Sequence, residues 1–287
     1  MQKLSLSKVL FLILYFIDIY MGYQIFGFRG ALITGVAIVI AMFGWMRITL
    51  YQTGALHIED CSPGERNRLD SALQEIYYRA ESCGYKLRKC QFYVSGEHTM
   101  NAYNCLNKIV INRPVLQSAE LEGIITHELS HLNNWDSYFS MLLSLNIMAI
   151  SVLIMVSFAL YFLVVAIIVI VLAFLSKNFL GFLICKKILE WTRLFNRVAC
   201  NIIITVIRIF QMTLLRQNEY KADRFAVRLG YGQDLKSFLG NYTGIETRNT
   251  KTFLEMLLST HPSDYKRIAA IQKEEEKIRK QRYDIQV

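Results

Sequence analysis

Residues 121–131 read LEGIITHELSH, and the run His127-Glu128-Leu129-Ser130-His131 inside them has the spacing H-E-x-x-H. On an α-helix, residues four apart are rotated by roughly 400°, so both imidazoles leave one face and can grip a single ion, with Glu128 beside them. The chain holds only five histidines, and a chance match to this spacing is on the order of one in two hundred. The plainer explanation, two histidines on a surface helix beside a membrane with Ile124, Ile125 and Leu129 facing a core, leaves the spacing unexplained. A catalytic zinc takes three protein ligands and keeps a fourth position open for water, so a third ligand is expected elsewhere. The best candidate is Glu219 in Arg216-Gln-Asn-Glu-Tyr-Lys-Ala-Asp223. Asp223, four residues on, shares its helical face and can accept a hydrogen bond from a ligating imidazole. Acidic pairs at this spacing are ordinarily solvated, but coupled to an upstream H-E-x-x-H the metal reading is preferred.

Outside these two stretches the composition is segregated. The chain of 287 residues is 53% hydrophobic and 19% charged, with mean hydropathy +0.28. A soluble domain would carry nearer 25% charge, so part of the chain belongs in lipid. Residues 9–50 and 138–215 are strongly apolar, whereas 51–135 and 216–287 read as soluble protein. That excludes a simple globular enzyme and a wholly buried channel alike. Lys3 and Lys8 precede the apolar run Val9–Ile17 without a small-residue cleavage pattern after it, so a retained anchor is expected. Two spans, about 6–27 and 31–50, are joined at Phe28-Arg29-Gly30. Asp18 lies inside the first; an intramembrane carboxylate is a functional candidate, and the plainer reading is that it faces a neighbouring helix or the interface. The basic residues Lys3, Lys8, Arg47, Arg66 and Arg68 flank this hairpin and place the N-terminus and everything after residue 50 in the cytosol. The net charge of +9 is spread without an arginine-rich helix, so lipid rather than nucleic acid is the expected partner. Six cysteines include no C-x-x-C pair, which argues against a cysteine zinc knuckle and favours reduced thiols.

The soluble portions predict a helix within 58–90, short strands at 90–94, 99–105 and 108–112 forming a small antiparallel sheet, and a helix that starts near Ser118 and carries the histidines. The stretch 138–176 has no charge and twice the length of one span. The basic segment 177–197 favours a hairpin within 138–176, with 178–215 lying at the cytosolic interface; the alternative makes 198–215 the fourth span. His131 and Glu219 are 88 positions apart, so the apolar insert interrupts the metal domain and an even number of crossings must separate the two ligand helices. The expected organisation is a transmembrane hairpin at 1–50, the first half of a metal domain at 51–137, a membrane insert at 138–215 and the second half at 216–287.

Taken in order, Asn101-Ala102-Tyr103, the H-E-x-x-H run followed by Asp136, Glu219-Tyr-Lys-Ala-Asp223, and Ser259-Thr-His261-Pro262-Ser with Arg267 beyond resemble the HtpX-type membrane-bound zinc metalloproteases, relatives of the Ste-type prenyl-protein peptidases. The resemblance covers about residues 90–270. It implies an α+β membrane protein: a mostly helical, gluzincin-type metalloprotease domain with a small antiparallel sheet and about four transmembrane helices. It also implies one Zn2+ per chain on His127, His131 and Glu219, Glu128 as general base, and an Asn101-Ala102 strand that pairs with extended substrate. His261 reads either as part of a capped turn or as a catalytic donor to a developing oxyanion.

The expected activity is a zinc endopeptidase in the cell (inner) membrane, its catalytic domain facing the cytosol, acting on polypeptides such as misfolded membrane proteins. Processing of lipidated C-termini is a narrower alternative. A non-proteolytic membrane sensor or scaffold is the alternative from another class, and no separate sensor domain is evident to favour it.

Overall fold

The computed structural model describes residues 6–176, 179–243 and 262–286. The chain divides into two compact bodies, one built from residues 1–142 and 214–287 and the other from 143–213.

The first body begins with α1 (Leu6–Gln52), which turns back on itself at Phe26 and Gly27. Gly27 takes φ +64° and ψ −152°, a conformation open to glycine and strained for other residues. The turn therefore falls just ahead of the expected Phe28-Arg29-Gly30. Gly30 serves instead where the two arms cross: a side chain built on Gly22 would strike Thr34 and the Gly30 carbonyl. The arms, 6–26 and 28–52, each reach the roughly 20 residues that a bilayer crossing needs.

The soluble part follows. After β1 (Leu56–His57), Ser62 and Glu65 form a reciprocal capping box that starts α2 (Pro63–Ser82). The apolar stripe Leu69, Ala72, Ile76 and Ala80 is buried, as its spacing requires. Three strands follow, β2 (Gln91–Ser95), β3 (Ala102–Cys105) and β4 (Lys108–Asn112), and the sheet order is β1-β2-β4-β3. The sheet is mixed, not antiparallel as expected, because β2 and β4 run parallel from Gln91↔Lys108 to Ser95↔Asn112. The physical reason lies in β4: Ile109, Val110 and Ile111 are all 0% exposed, so this strand needs cover on both faces and a neighbour on each side. The loop 96–101 carries the chain past that slot to make β3 an edge strand, and β4 returns into the gap.

A short α3 (Arg113–Leu116) leads to α4 (Leu121–Asn134), whose residues 123–132 are all buried. α7 (Gly232–Phe238) packs on α4 at Gly123, where an added Cβ would lie 2.6 Å from the Asp234 Cβ. α8 (Asp264–Gln286) adds Ile271 to the same core as Ile109, Ile125, Leu129 and Leu235.

α4 ends at Trp135, which holds a left-handed conformation (φ 63°, ψ 26°), and α5 (Asp136–Ser176) begins at the next residue. α5 is one continuous helix of 41 residues, which overturns the expected hairpin inside 138–176. No glycine or proline interrupts that apolar run, so nothing in it ends a helix. Residues 177–178 lie outside the described residues. α6 (Phe179–Arg228) then runs for 50 residues and carries Glu219 and Asp223 near its end. In the second body α5 and α6 lie antiparallel: Asn196 Nδ2 donates to the Phe158 carbonyl at 3.3 Å, Gln211 Nε2 donates to Ser144 Oγ at 2.9 Å, and Arg193 lies over the Phe162 ring. Among the described residues, Leu6–Gln52, Asp136–Leu172 and Lys186–Arg228 are long and apolar enough to cross a membrane.

The packing at Gly123 gives a stability test. Gly123→Ala should lower the Tm of the detergent-solubilised protein, because overpacking of about 1–3 kcal/mol exceeds the roughly 1 kcal/mol of helix propensity gained. Gly64→Ala, with nothing within 4 Å of its added Cβ, should leave Tm equal or higher. Equal responses from the two variants would contradict the tight α4–α7 contact.

Candidate metal centre

One turn apart on α4, the rings of His127 and His131 stand at 82° with centroids 4.7 Å apart, and their Nε2 atoms are 3.1 Å from one another. Glu219 on α6 faces both, with Oε1 3.2 Å from His131 Nε2 and Oε2 3.6 Å from His127 Nε2. Donors about 2.0–2.1 Å from a tetrahedral ion sit roughly 3.3 Å from one another, so these separations suit a zinc-sized ion. Two imidazoles and one carboxylate are also a zinc donor set. All three residues are buried.

A second ring of side chains holds the first. Asp223 Oδ1 lies 3.0 Å from His127 Nδ1, which places the residue where its helical spacing with Glu219 suggested. Asp136 Oδ2 lies 2.9 Å from His131 Nδ1. A carboxylate on each Nδ1 fixes the tautomer that leaves the Nε2 lone pair free for a metal. Arg267, from the first turn of α8, donates to both oxygens of Asp223 at 2.9 and 2.6 Å and lies 3.3 Å from Glu219 Oε2.

Sequence reasoning quoted Asp136 and Arg267 as marker positions without giving them work. The available signal for Asp136 was its place just beyond the end of the histidine helix. For Arg267 it was the need of two carboxylates on one buried face for a counter-charge.

Arg267 is the only buried Lys or Arg among the described residues, against buried Glu219, Asp223, Asp136 and Glu128. The cluster therefore carries excess negative charge that a dication would offset. Burial disfavours a charged ring at both histidines, yet Asp223 and Glu219 raise His127, and Asp136 and Glu219 hold His131 well above the usual range. The field that draws a proton there also draws a metal cation. Burial likewise opposes the charge on Arg267, and Asp223 overcomes it and raises the guanidinium further.

A cavity of about 360 Å³ opens beside the cluster, bordered by Glu128, His127, His131 and β3. The Asn101 carbonyl accepts from the Asn112 N–H at 3.0 Å, so by antiparallel alternation the backbone groups of Ala102 and Asn104 point away from β4, along an edge that pairs with no other strand among the described residues. Asn104 Nδ2 donates to the Glu128 carbonyl at 3.4 Å and ties that edge to the histidine helix. Thus His127, His131, Glu219, Asp223, Glu128, Asn101 and Ala102 are brought into one neighbourhood. His261 lies outside the described residues.

Among solved structures the chain is similar to Ste24p of S. mikatae, with a TM-score of 0.46 and 17% identity over 91% of this chain and 61% of that one. It thus spans about three-fifths of that protein's length. No curated protein matches it. The model of Peptidase family M48 matches residues 63–275, well over half of the sequence and including α4 and the metal-facing end of α6. The chain belongs to peptidase family M48.

Proposed function

We propose that this membrane metallopeptidase is a zinc endopeptidase that hydrolyses extended polypeptide at the cytosolic face of the cell membrane, in the quality control of membrane proteins. The observation that carries the reading is the convergence of His127, His131 and Glu219 beside Glu128 and the open edge of β3. An extended substrate would add to β3 through the outward N–H and C=O groups of Ala102 and Asn104, as a further antiparallel or parallel strand. That pairing would lay a scissile bond across the cavity next to Glu128.

A zinc ion held by His127, His131 and Glu219 would supply Lewis-acid polarisation of the carbonyl and acidification of a water. Glu128 would accept the proton of that water and pass it to the leaving amine. Asp223 and Asp136 would hold the two imidazoles in register, while Arg267 fixes Asp223. His261 is assigned as a donor to the developing oxyanion. In the membrane, the two arms of α1 together with α5 and α6 make four crossings, which return Glu219 to the side of His127 and His131.

Chemistry and topology are tested separately. Glu128→Gln should abolish hydrolysis of unfolded casein while the protein still binds about one equivalent of zinc, because it removes the base and no ligand. His127→Ala, His131→Ala and Glu219→Ala should each lose the metal. Stoichiometric zinc in Glu219→Ala would remove that residue from the ligand set. Asp223→Asn should weaken zinc binding by about 10–100-fold in chelator competition, with activity partly restored at high zinc. An unchanged affinity would take Asp223 out of the site.

For topology, single cysteines replacing the exposed Asp70, Lys187 and Gln233 in a cysteine-free background are challenged with a membrane-impermeant thiol reagent. In intact cells Asp70→Cys and Gln233→Cys should resist the reagent and Lys187→Cys should react. Labelling of only one of Asp70→Cys and Gln233→Cys would refute a shared compartment, and protection of Lys187→Cys would mean that α5 and α6 do not cross.

A further inference from the structure

The outer ring of the metal cluster extends into the membrane anchor. Ser7, in the first described turn of α1, is 3% exposed and its Oγ donates to Asp136 Oδ1 at 2.5 Å. The other oxygen of that carboxylate faces His131 Nδ1 at 2.9 Å. Ser7 Oγ also lies 3.4 Å from the side-chain oxygen of Asn218, the residue before Glu219. A single hydroxyl from a residue 129 positions away in sequence thus completes the hydrogen bonding of a carboxylate that already faces one candidate ligand, and touches the neighbour of another.

The surrounding contacts make this placement specific. Phe11, one turn along α1, meets Trp135 edge-on at 5.7 Å and Tyr138 at 6.2 Å. Lys8 lies over the Trp135 ring, with its ammonium 6.0 Å from the centroid. The first turns of α1 are therefore seated on the α4–α5 junction, and Ser7 is the member of that seat that reaches the metal cluster. A carboxylate held through one oxygen can swing about its Cβ–Cγ bond, whereas one held through both presents a fixed plane to the imidazole. Charge-assisted O–H···O⁻ bonds near 2.5–2.7 Å are among the stronger ones available for this task.

We propose that Ser7 is a positioning residue for the zinc ligand His131, acting through Asp136, so that the first membrane helix forms part of the metal site. This rests on the zinc-peptidase reading above. It goes beyond that reading in giving α1 work other than anchoring.

The test uses the full-length protein in detergent, with zinc affinity read by chelator competition and ligand geometry by the visible absorption of the Co2+-loaded protein. Ser7→Ala should weaken zinc binding by about tenfold, at the lower end of what outer partners of a metal ligand contribute, and should shift the Co2+ spectrum. Ser7→Thr keeps the hydroxyl and should restore the spectrum and hold affinity within about twofold of the wild type. Adding Ser7→Ala to Asp136→Asn should cost nothing further, since both act along one path.

Wild-type affinity in Ser7→Ala, a Ser7→Thr protein as weak as Ser7→Ala, or additive losses in the double variant would each overturn the proposal. In those cases stoichiometric zinc in the wild type would leave the peptidase reading standing. Failure of the wild type itself to take up zinc would overturn both.

Discussion

Three donor atoms from two helices meet at separations of 3.1 to 3.6 Å, and most of this architecture follows from that convergence. The helices are separated by an apolar insert made of most of α5 and the first part of α6, so the chain leaves the first body near residue 142 and re-enters it near residue 214. Continuity of α6 solves the return: the helix that forms one arm of the insert also presents Glu219 and Asp223. Burying those carboxylates would be costly without compensation, and Arg267 together with the two imidazoles provides part of it. The excess that remains is what makes the cluster suited to a dication.

The sheet is arranged around the same centre. With β4 inside the sheet, Ile109 and Ile111 join the same core as Ile125 and Leu129 of α4, and β3 is the edge strand beside the cavity. Had β3 and β4 exchanged places, the fully buried β4 would have become the edge strand and lost a neighbour on one side. The parallel pairing of β2 with β4 thus puts β3, rather than the buried β4, at the edge beside the cavity.

Much of the site was legible because its logic is local. His127 and His131 announce themselves through helical spacing, and Glu219 with Asp223 repeats the same spacing one helix later. What escaped depends on partners distant in sequence. Strand order could not be read from three short runs, since the loop 96–101 is long enough to place β3 beside either neighbour. In the insert, the charges of 177–197 suggest a turn within 138–176, but the absence of any helix breaker there keeps α5 continuous. Arg267 and Ser7 carry no motif of their own, and each gains meaning only from the carboxylate it touches.

If extended substrate pairs with the edge of β3 as proposed, that edge would also set the kind of selectivity of the site. Backbone N–H and C=O groups are the same in every polypeptide, so an edge strand cannot read sequence through them; side-chain pockets must add that. What it reads directly is whether a chain has its own backbone satisfied. Strands inside folded proteins are already paired and have nothing to offer, whereas an unpaired segment near the bilayer does. Discrimination by that pairing would be by folding state rather than by residue identity.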